Sequence, residues 1–480
     1  MSDVKLEDIV SLAKRRGFIY PGSDVYGGLS GTWDYGPLGV ALKRNIMNLW
    51  WKMFVDDADN MYGVDAAILM NQKVWQASGH TETFTDPLTE CMNCHSRFRA
   101  DKIDMSAPCP TCGQKDKFSE PEQFNMMFKT VTGPKFRSID RKDSAGMKAH
   151  IEWLNKEGNA EAKFDLADEF NELGGFMLYD SQAISYLRPE TAQGIFTNFK
   201  NVVDSFYPDL PFGLAQQGKA FRNEISPRDF IFRSREFEQM EIEYFVHPDE
   251  WEKAFEEWVK RIHLWCNALG LPESTVHELE VPEADRAHYS KRTVDFEFDF
   301  PIGREELLGL AYRTDFDLQN IQRASGKSME YTVKGTNDKF VPHVIEPSFG
   351  VERALMAVLT AAYSEDEING EKRIFLKLPA HLAPVKVAVL PLVKNKPELV
   401  AKAREVYAML KKEFGAVMWV DTGNIGKNYR KMDEIGVPYC VTIDFDTLEG
   451  DAAGTVTVRH RDTTEQERTS IAELAEIVRG

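Results

Sequence analysis

Residues 235–245 read REFEQMEIEYF, and the strict alternation in this run constrains the fold more than any other feature of the chain. Alternation at period two belongs to a strand with two unlike faces. Met240, Ile242 and Tyr244 fall on one face; Arg235, Phe237, Gln239, Glu241 and Glu243 fall on the other. Upstream, FRNEI (221–225) is a second extended run, and Ser226-Pro227-Arg228-Asp229 between them is a turn signal. The segment therefore reads as an antiparallel hairpin, with Arg222 and Glu224 sharing a face of its first strand. The Met/Ile/Tyr face suits a core. The opposite face sets out a guanidinium, an aromatic ring and two carboxylates, which are partners for a phosphate, a purine and an amine. The same pattern is also that of an edge hairpin carrying surface ion pairs. Arg222, Arg228, Arg233 and Arg235 crowd into this stretch although the chain's net charge is −18.

At 480 residues the chain is long enough for two to four domains. Composition is that of an ordinary globular protein, and the overall acidity argues against indiscriminate nucleic-acid binding while leaving local patches open. No run approaches the ~18 apolar residues of a membrane helix. The start, MSDVKLEDIVSLAKRRGF, lacks the apolar core of a secretory signal, so a cytoplasmic location without membrane contact is expected.

Four blocks follow from the patterning. Residues 1–90 hold the glycine-rich YGGLSGTWDYGPLG and then a helix begun by Pro37, with Leu38, Ala41, Leu42, Asn45, Ile46, Leu49 and Met53 on a stripe facing a core or a partner subunit. Residues 91–178 read as an insertion, opening on paired cysteines and continuing through a helix-prone stretch at 148–175. Residues 179–378 alternate strands and short turns, which favours antiparallel pairing. Prolines 379 and 384 mark a boundary, and 384–480 read strand–helix–strand–helix–strand–strand, a small α/β domain.

Cys91-Met-Asn-Cys94 and Cys109-Pro-Thr-Cys112 are two CxxC knuckles at the spacing of a four-cysteine zinc ribbon, with unliganded thiols as the alternative. A closed site of four thiolates would be structural. Cys266 and Cys440 read as buried packing. His263, His288, His343 and the other histidines form no HExxH-like set and read as structural or surface residues. YGGLSG is not a dinucleotide fingerprint. Lys427, Arg430, Lys431 and Glu434 share a helical face, either solvated or in contact with nucleic acid.

FRNE followed by REFEQME resembles motif 2 of the class II aminoacyl-tRNA synthetases, EPSFGVER (346–353) resembles motif 3, and the helix opening at GPLG resembles motif 1. LRPETAQG (187–194), YRTDFDL (312–318) and IGKNYRKMDEIGVPYCVTIDFD (425–446) are similar to strings of the glycyl-tRNA synthetases of the homodimeric bacterial type. The resemblance spans essentially the whole chain. It implies a multidomain α+β and α/β protein: an antiparallel class II catalytic sheet with flanking helices, a zinc-ribbon insertion and a C-terminal α/β anticodon-binding domain.

It also implies ATP-dependent activation of glycine and transfer to tRNA(Gly), a homodimer, and Mg²⁺ accompanying ATP. Arg222 is then expected on the α-phosphate and the amino-acid carboxylate, Arg353 on the γ-phosphate, Glu224 on the adenine amino group and Phe237 stacked on adenine. Asn223, Phe232, Arg233, Arg235, Glu236, Gly350, Val351 and Glu352 complete the expected ATP site. Glu306 and Leu307 join it, with Glu306 a Mg²⁺ contact. Glu190, Phe237, Glu241, Glu346 and Ser348 are expected around glycine, approached by Arg99 and Arg313. The rivals are a non-catalytic RNA-binding paralogue, a zinc-ribbon regulatory protein, and a class II synthetase of another specificity. No editing domain is expected, because every competing standard amino acid is larger than glycine.

Overall fold

The computed structural model describes residues 4–132, 136–140, 175–179, 184–336, 338–368 and 370–479. The helix-prone stretch at 148–175 lies outside them except for its last residue. At the centre is a seven-stranded sheet in the spatial order Val276–Glu280, Arg292–Phe300, Gly303–Thr314, His343–Gly350, Glu236–Val246, Phe212–Phe221 and Met61–Gly63. All neighbours are antiparallel except the last pair, where Met61–Gly63 runs parallel to Phe212–Phe221.

Each strand is two-faced, as its alternation requires. Met240 and Ile242 are fully buried on one side with Phe349, Trp50, Phe54, Trp258 and Trp265. That layer is closed by the helices Pro37–Trp51, Trp251–Ala268 and Val351–Ala362. On the other side the carboxylate row of Glu236–Val246 ends at Phe245, which packs with Phe196, Phe199 and Phe212 beneath the helix Ala192–Phe206. Burial of each such ring stabilises the fold by about 1.5–3 kcal/mol. One face of the sheet is therefore core throughout, and the other is polar in the middle with an apolar plug at one end.

Two sequence expectations shift. The strand before the turn ends at Phe221 instead of running through Ile225. From there the backbone is claimed by other partners: Arg222 N–H donates to Arg235 O, and Asn223 N–H to Met126 O of the inserted block. On the helix begun by Pro37, the buried side chains are Leu42, Ile46 and Trp50, followed by Phe54. Of the expected stripe, Leu42 and Ile46 are thus buried, while Leu38, Ala41, Asn45, Leu49 and Met53 are half-buried. Lys52–Asp56 widen into a π-type turn, which lets the large Trp and Phe rings keep a four-residue spacing into the core.

The inserted cysteine block forms a three-stranded antiparallel sheet, Arg97–Arg99, Thr85–Glu90 and Glu122–Asn125. It touches the hairpin loop, where Ser226 Oγ donates to Arg97 O at 2.9 Å. The C-terminal region folds on its own five-stranded sheet, ordered Val417–Trp419, Val387–Pro391, Tyr439–Ile443, Thr455–His460 and Gln466–Ser470. Its first three strands are parallel and its last two antiparallel, as the strand–helix alternation requires.

This region is fastened to the rest by buried charge. Asp433, fully buried, accepts from Arg459 Nη1 and Nη2 at 2.8 and 2.9 Å and from Arg373 Nη1 at 3.1 Å. Glu434 pairs with Arg15 and Arg16, and Arg430 with Glu371. The helical face carrying Arg430 and Glu434 thus turns partly toward the neighbouring elements, while Lys427 and Lys431 stay exposed. Cys266 and Cys440 are buried, and burial pushes both thiols up to about 12.

Candidate active site

The polar face of the sheet floors a cavity of ≈ 490 Å³. Along its middle lie Phe237, Gln239 and Glu241, in the order their alternation dictates. The strand His343–Gly350 runs beside them, so Ser348 sits opposite Glu241. Ser348 Oγ donates to Glu241 Oε1 at 2.7 Å, and Thr191 Oγ1 donates to the other oxygen. Glu190, Glu241 and Glu346 gather at this end, each less than a tenth exposed.

Crowding sets their charge states. Burial, then Glu190, raises the Glu241 carboxyl; burial raises Glu346 well above the usual range despite Arg313. Burial also pushes Glu190 upward, but His80, Arg313 and Arg222 outweigh it and hold the group at about 2. The end of the cavity is acidic and almost dry, which suits a small ammonium ion.

At the other end the groups are cationic. The Arg222 guanidinium lies 5.2 Å from the Phe237 ring centre and 5.4 Å from Phe84, and its Nε–H donates to Pro189 O at 3.0 Å. Arg233 Nη1 donates to the buried Glu224 at 3.2 Å. Arg353, from the first turn of Val351–Ala362, stacks 4.5 Å over Phe232 and pairs with Glu306 at 3.0 Å. Arg353 is the largest influence holding the Glu306 carboxyl below its ordinary value. Leu307, Gly350 and Glu352 complete this wall. Glu352 accepts from Tyr35 Oη and from Glu238 N–H, both at 2.9 Å, and burial lifts its carboxyl to about 7.

Other expected residues stand outside the lining. Arg235 donates to Ser30 O and Glu224 O, bracing the glycine-rich loop against the hairpin loop. Gly31, at φ +75°, is required there, since a Cβ would lie 2.4 Å from Pro227 Cβ. Glu236 points to the opposite face and pairs with Lys219. Asn223 contributes backbone and Val351 begins a helix. Arg313 is 1% exposed and sits behind the wall, donating to Glu346 at 2.7 Å and to Asp317 at 2.8 and 2.9 Å. Arg99 does reach the lining from the cysteine block, paired with Asp86 at 2.7 Å.

The lining residues not among the ligands expected from sequence include Asp295, Gln239 and Tyr289. Asp295 lies near Glu306 and Arg353, and burial, then Glu306, lifts it to about 7. Parity along TVDFEFDF could have found it, because Val294, Phe296 and Phe298 take the core face. Gln239 lies on the expected face, where no role was assigned to it; its Oε1 accepts from Thr191 N–H at 3.1 Å. Tyr289, stacked 3.7 Å beneath Arg313, carries no sequence signal.

In the cysteine block the Cys91 and Cys112 sulfurs are 3.7 Å apart, those of Cys94 and Cys109 are 3.8 Å apart, and all four lie within 4.8 Å of one another. Four thiolates around an ion at ~2.3 Å define a tetrahedron with edges of about 3.8 Å. The donor set fits a tetrahedral metal.

An antiparallel sheet with cations at one end of its open face and buried carboxylates at the other, joined to a small α/β domain, is the arrangement that the resemblance to the class II aminoacyl-tRNA synthetases implies. Residues 177–362 match the class II tRNA synthetase core domain (G, H, P, S and T), and residues 386–480 match the anticodon binding domain. The chain is 44% identical to a glycine–tRNA ligase of Streptomyces coelicolor, covering 99% of this chain and 98% of that one. It is 44% identical to one from Clostridium kluyveri (99% and 98%) and 43% identical to one from Borrelia hermsii (99% and 97%). The chain belongs to the glycine–tRNA ligase family.

Proposed function

We propose that the cavity binds ATP and glycine end to end along the strand Glu236–Val246 and joins them as glycyl-adenylate. The observation that carries this reading is the single line of Phe237, Gln239 and Glu241, with guanidinium groups at one end and three buried carboxylates at the other. Adenine stacks on Phe237 beside Glu224, the α-phosphate meets Arg222, and the γ-phosphate takes Arg353 away from Glu306. Phe232 and Arg233 flank the nucleotide, and Glu306 holds a Mg²⁺ whose charge offsets that of the triphosphate. The ammonium of glycine lies among Glu190, Glu241, Glu346 and Ser348. Arg99, in the cavity lining, shares the carboxylate with Arg222.

The glycine carboxylate attacks the α-phosphorus, the bond to the bridging oxygen breaks, and pyrophosphate leaves. A carboxylate needs no deprotonation at neutral pH, so no general base is required; positioning and charge neutralisation carry the step. A 3′-terminal tRNA hydroxyl then attacks the activated carbonyl and AMP departs. Selectivity rests on sterics. The buried carboxylates leave no room for a methyl group, whose insertion costs ~1–3 kcal/mol in a packed site.

The remaining roles follow the same reading. The C-terminal domain contacts the anticodon of tRNA(Gly), with Lys427 and Lys431 free to meet phosphate. The four cysteines hold a structural Zn²⁺ that orders the block presenting Arg99 and clamping the hairpin loop. Two chains associate through the half-buried flank of Pro37–Trp51 and the exposed Val25 and Tyr26 (88% and 91%). Among the described residues no helix is long and apolar enough to cross a membrane, and the protein acts in the cytoplasm. ATP–pyrophosphate exchange with each standard amino acid in turn, followed by charging of tRNA, tests the proposal. Glycine alone should support exchange, and exchange equally supported by alanine would refute the pocket.

A further inference from the structure

One buried histidine serves no fold element by an obvious route. His80, 8% exposed, begins the short helix after Gly79, and its ring packs against Trp75 and Phe84 with centres 5.4 Å away in both cases. Its Nδ1 lies 2.7 Å from Ser78 Oγ, and its Nε2 lies 3.4 Å from Glu190 Oε1. That oxygen is buried and has no hydrogen-bonding partner among the described residues, and the imidazole stands at ion-pair distance from it. The turn bearing His80 is fixed from behind, since Asn125 Nδ2 donates to His80 O and Thr81 O and Met126 N–H donates to Phe84 O.

Ser78 determines which nitrogen faces the pocket. Its hydroxyl can donate to Nδ1 of a neutral imidazole. Alternatively it donates to Trp75 O, 3.3 Å away, and accepts from Nδ1–H of an imidazolium. In both states Nε2 carries its proton toward Glu190. A hydroxyl that can act either way thus guarantees a donor for the carboxylate whatever the charge of the ring.

The geometry points to Ser78 and His80 as a positioning pair for glycine recognition: the imidazole, held by Ser78, orients the Glu190 carboxylate toward the ammonium of the substrate. This rests on the reading that Glu190 belongs to the glycine pocket. Neither residue touches the reacting atoms. The charged and titratable groups around the ring are Glu190, with Arg222, Arg313 and Glu241 beyond it, and His288 across the pocket. Without His80, burial and the neighbouring Glu241 would favour protonation of Glu190, and Arg222 and Arg313 alone would oppose it. The loss should therefore deepen as pH falls.

The experiment measures KM for glycine and for ATP by pyrophosphate exchange between about pH 6 and pH 8, in wild type, His80→Phe, His80→Gln and Glu190→Gln. His80→Phe keeps an aromatic ring between Trp75 and Phe84. It should raise the glycine KM about tenfold to a hundredfold relative to wild type near pH 6, the range expected for losing a hydrogen bond to a charged group, and less near pH 8. The ATP KM should stay within about twofold. His80→Gln, which restores an N–H donor but never a charge, should lie within about threefold of wild type near pH 8 and fall behind near pH 6. If His80→Phe does not fold, His80→Gln decides alone: a variant-to-wild-type ratio of one at every pH overturns the inference. So does a rise in both KM values that is independent of pH, because that is mere loss of packing. If Glu190→Gln raises the glycine KM and the His80 variants do not, only the inference falls. If Glu190→Gln leaves it unchanged, the pocket assignment falls and the inference with it.

Discussion

Glu241→Gln separates function from stability more cleanly than any other substitution in the site. Glu241 is 2% exposed, accepts from the hydroxyls of Ser348 and Thr191, and stands close enough to Glu190 to be raised by it. An amide fills the same volume; the hydroxyl facing its oxygen still donates, and the other can rotate to accept from its N–H. What disappears is one negative charge facing the substrate ammonium. Two unit charges at ~4 Å interact by about 4 kcal/mol at an effective dielectric of ~20, and desolvation already incurred leaves a net loss of about 1.5–3 kcal/mol. The glycine kcat/KM should accordingly drop about tenfold to a hundred-fifty-fold, with the ATP KM little changed.

The pH profile should change with it. Because the Glu241 carboxyl is raised, its ionised, ammonium-binding form is lost as pH falls through that raised value, so wild-type glycine kcat/KM should decline on the acid side of neutrality. Glu241→Gln has no proton to gain there, and its decline should be shallower. Stability should move the opposite way: removing a buried charge beside Glu190 relieves repulsion, so the melting temperature should hold or rise. Pyrophosphate exchange across pH, with a thermal melt on the same samples, reads both. An unchanged glycine KM, or an activity loss accompanied by a lower melting temperature, would refute the reasoning.

Arg222→Ala should slow glycine-dependent exchange about 10²–10³-fold, as expected for one lost charge-stabilising donor, with the fold intact in circular dichroism. Asp433→Ala strands the buried guanidinium groups of Arg373 and Arg459 and should cost about 3–5 kcal/mol in denaturant unfolding; a loss below ~1 kcal/mol would mean that water reaches the network. Protein purified without chelator should carry one zinc per chain by elemental analysis, and Cys94→Ser should lower both zinc content and melting temperature.

Much of this site could be read from alternation and short strings. The parity of REFEQMEIEYF places Phe237, Gln239 and Glu241 on one face, and that is where the pairing with Phe212–Phe221 leaves them. The sheet face, the cysteine cage and the α/β order of the last hundred residues are all local patterns. What stayed hidden depends on contacts distant in the chain. Arg313 stands behind Glu346, because a guanidinium that must neutralise Asp317 as well is drawn beneath the wall. Arg235 is consumed by the carbonyl of Ser30, in a loop two hundred residues upstream, and by that of Glu224. Glu236 obeys the same parity that recommends Phe237, and so faces away. On the helix at 37–51 the stripe finds Leu42 and Ile46 but not Trp50, and it includes Leu38 and Leu49, which stay half-buried. His80 was invisible as a pocket residue, since nothing local to SGH announces a carboxylate more than a hundred positions later.

The most direct test is a crystal structure with a non-hydrolysable glycyl-adenylate analogue. The purine ring should lie on Phe237, the linking phosphate-like group within hydrogen-bond reach of Arg222, and the ammonium between Glu190, Glu241 and Ser348. An analogue bound in the reverse sense, with its amine beside Arg222 and Arg353, or bound away from the strand Glu236–Val246, would contradict the account.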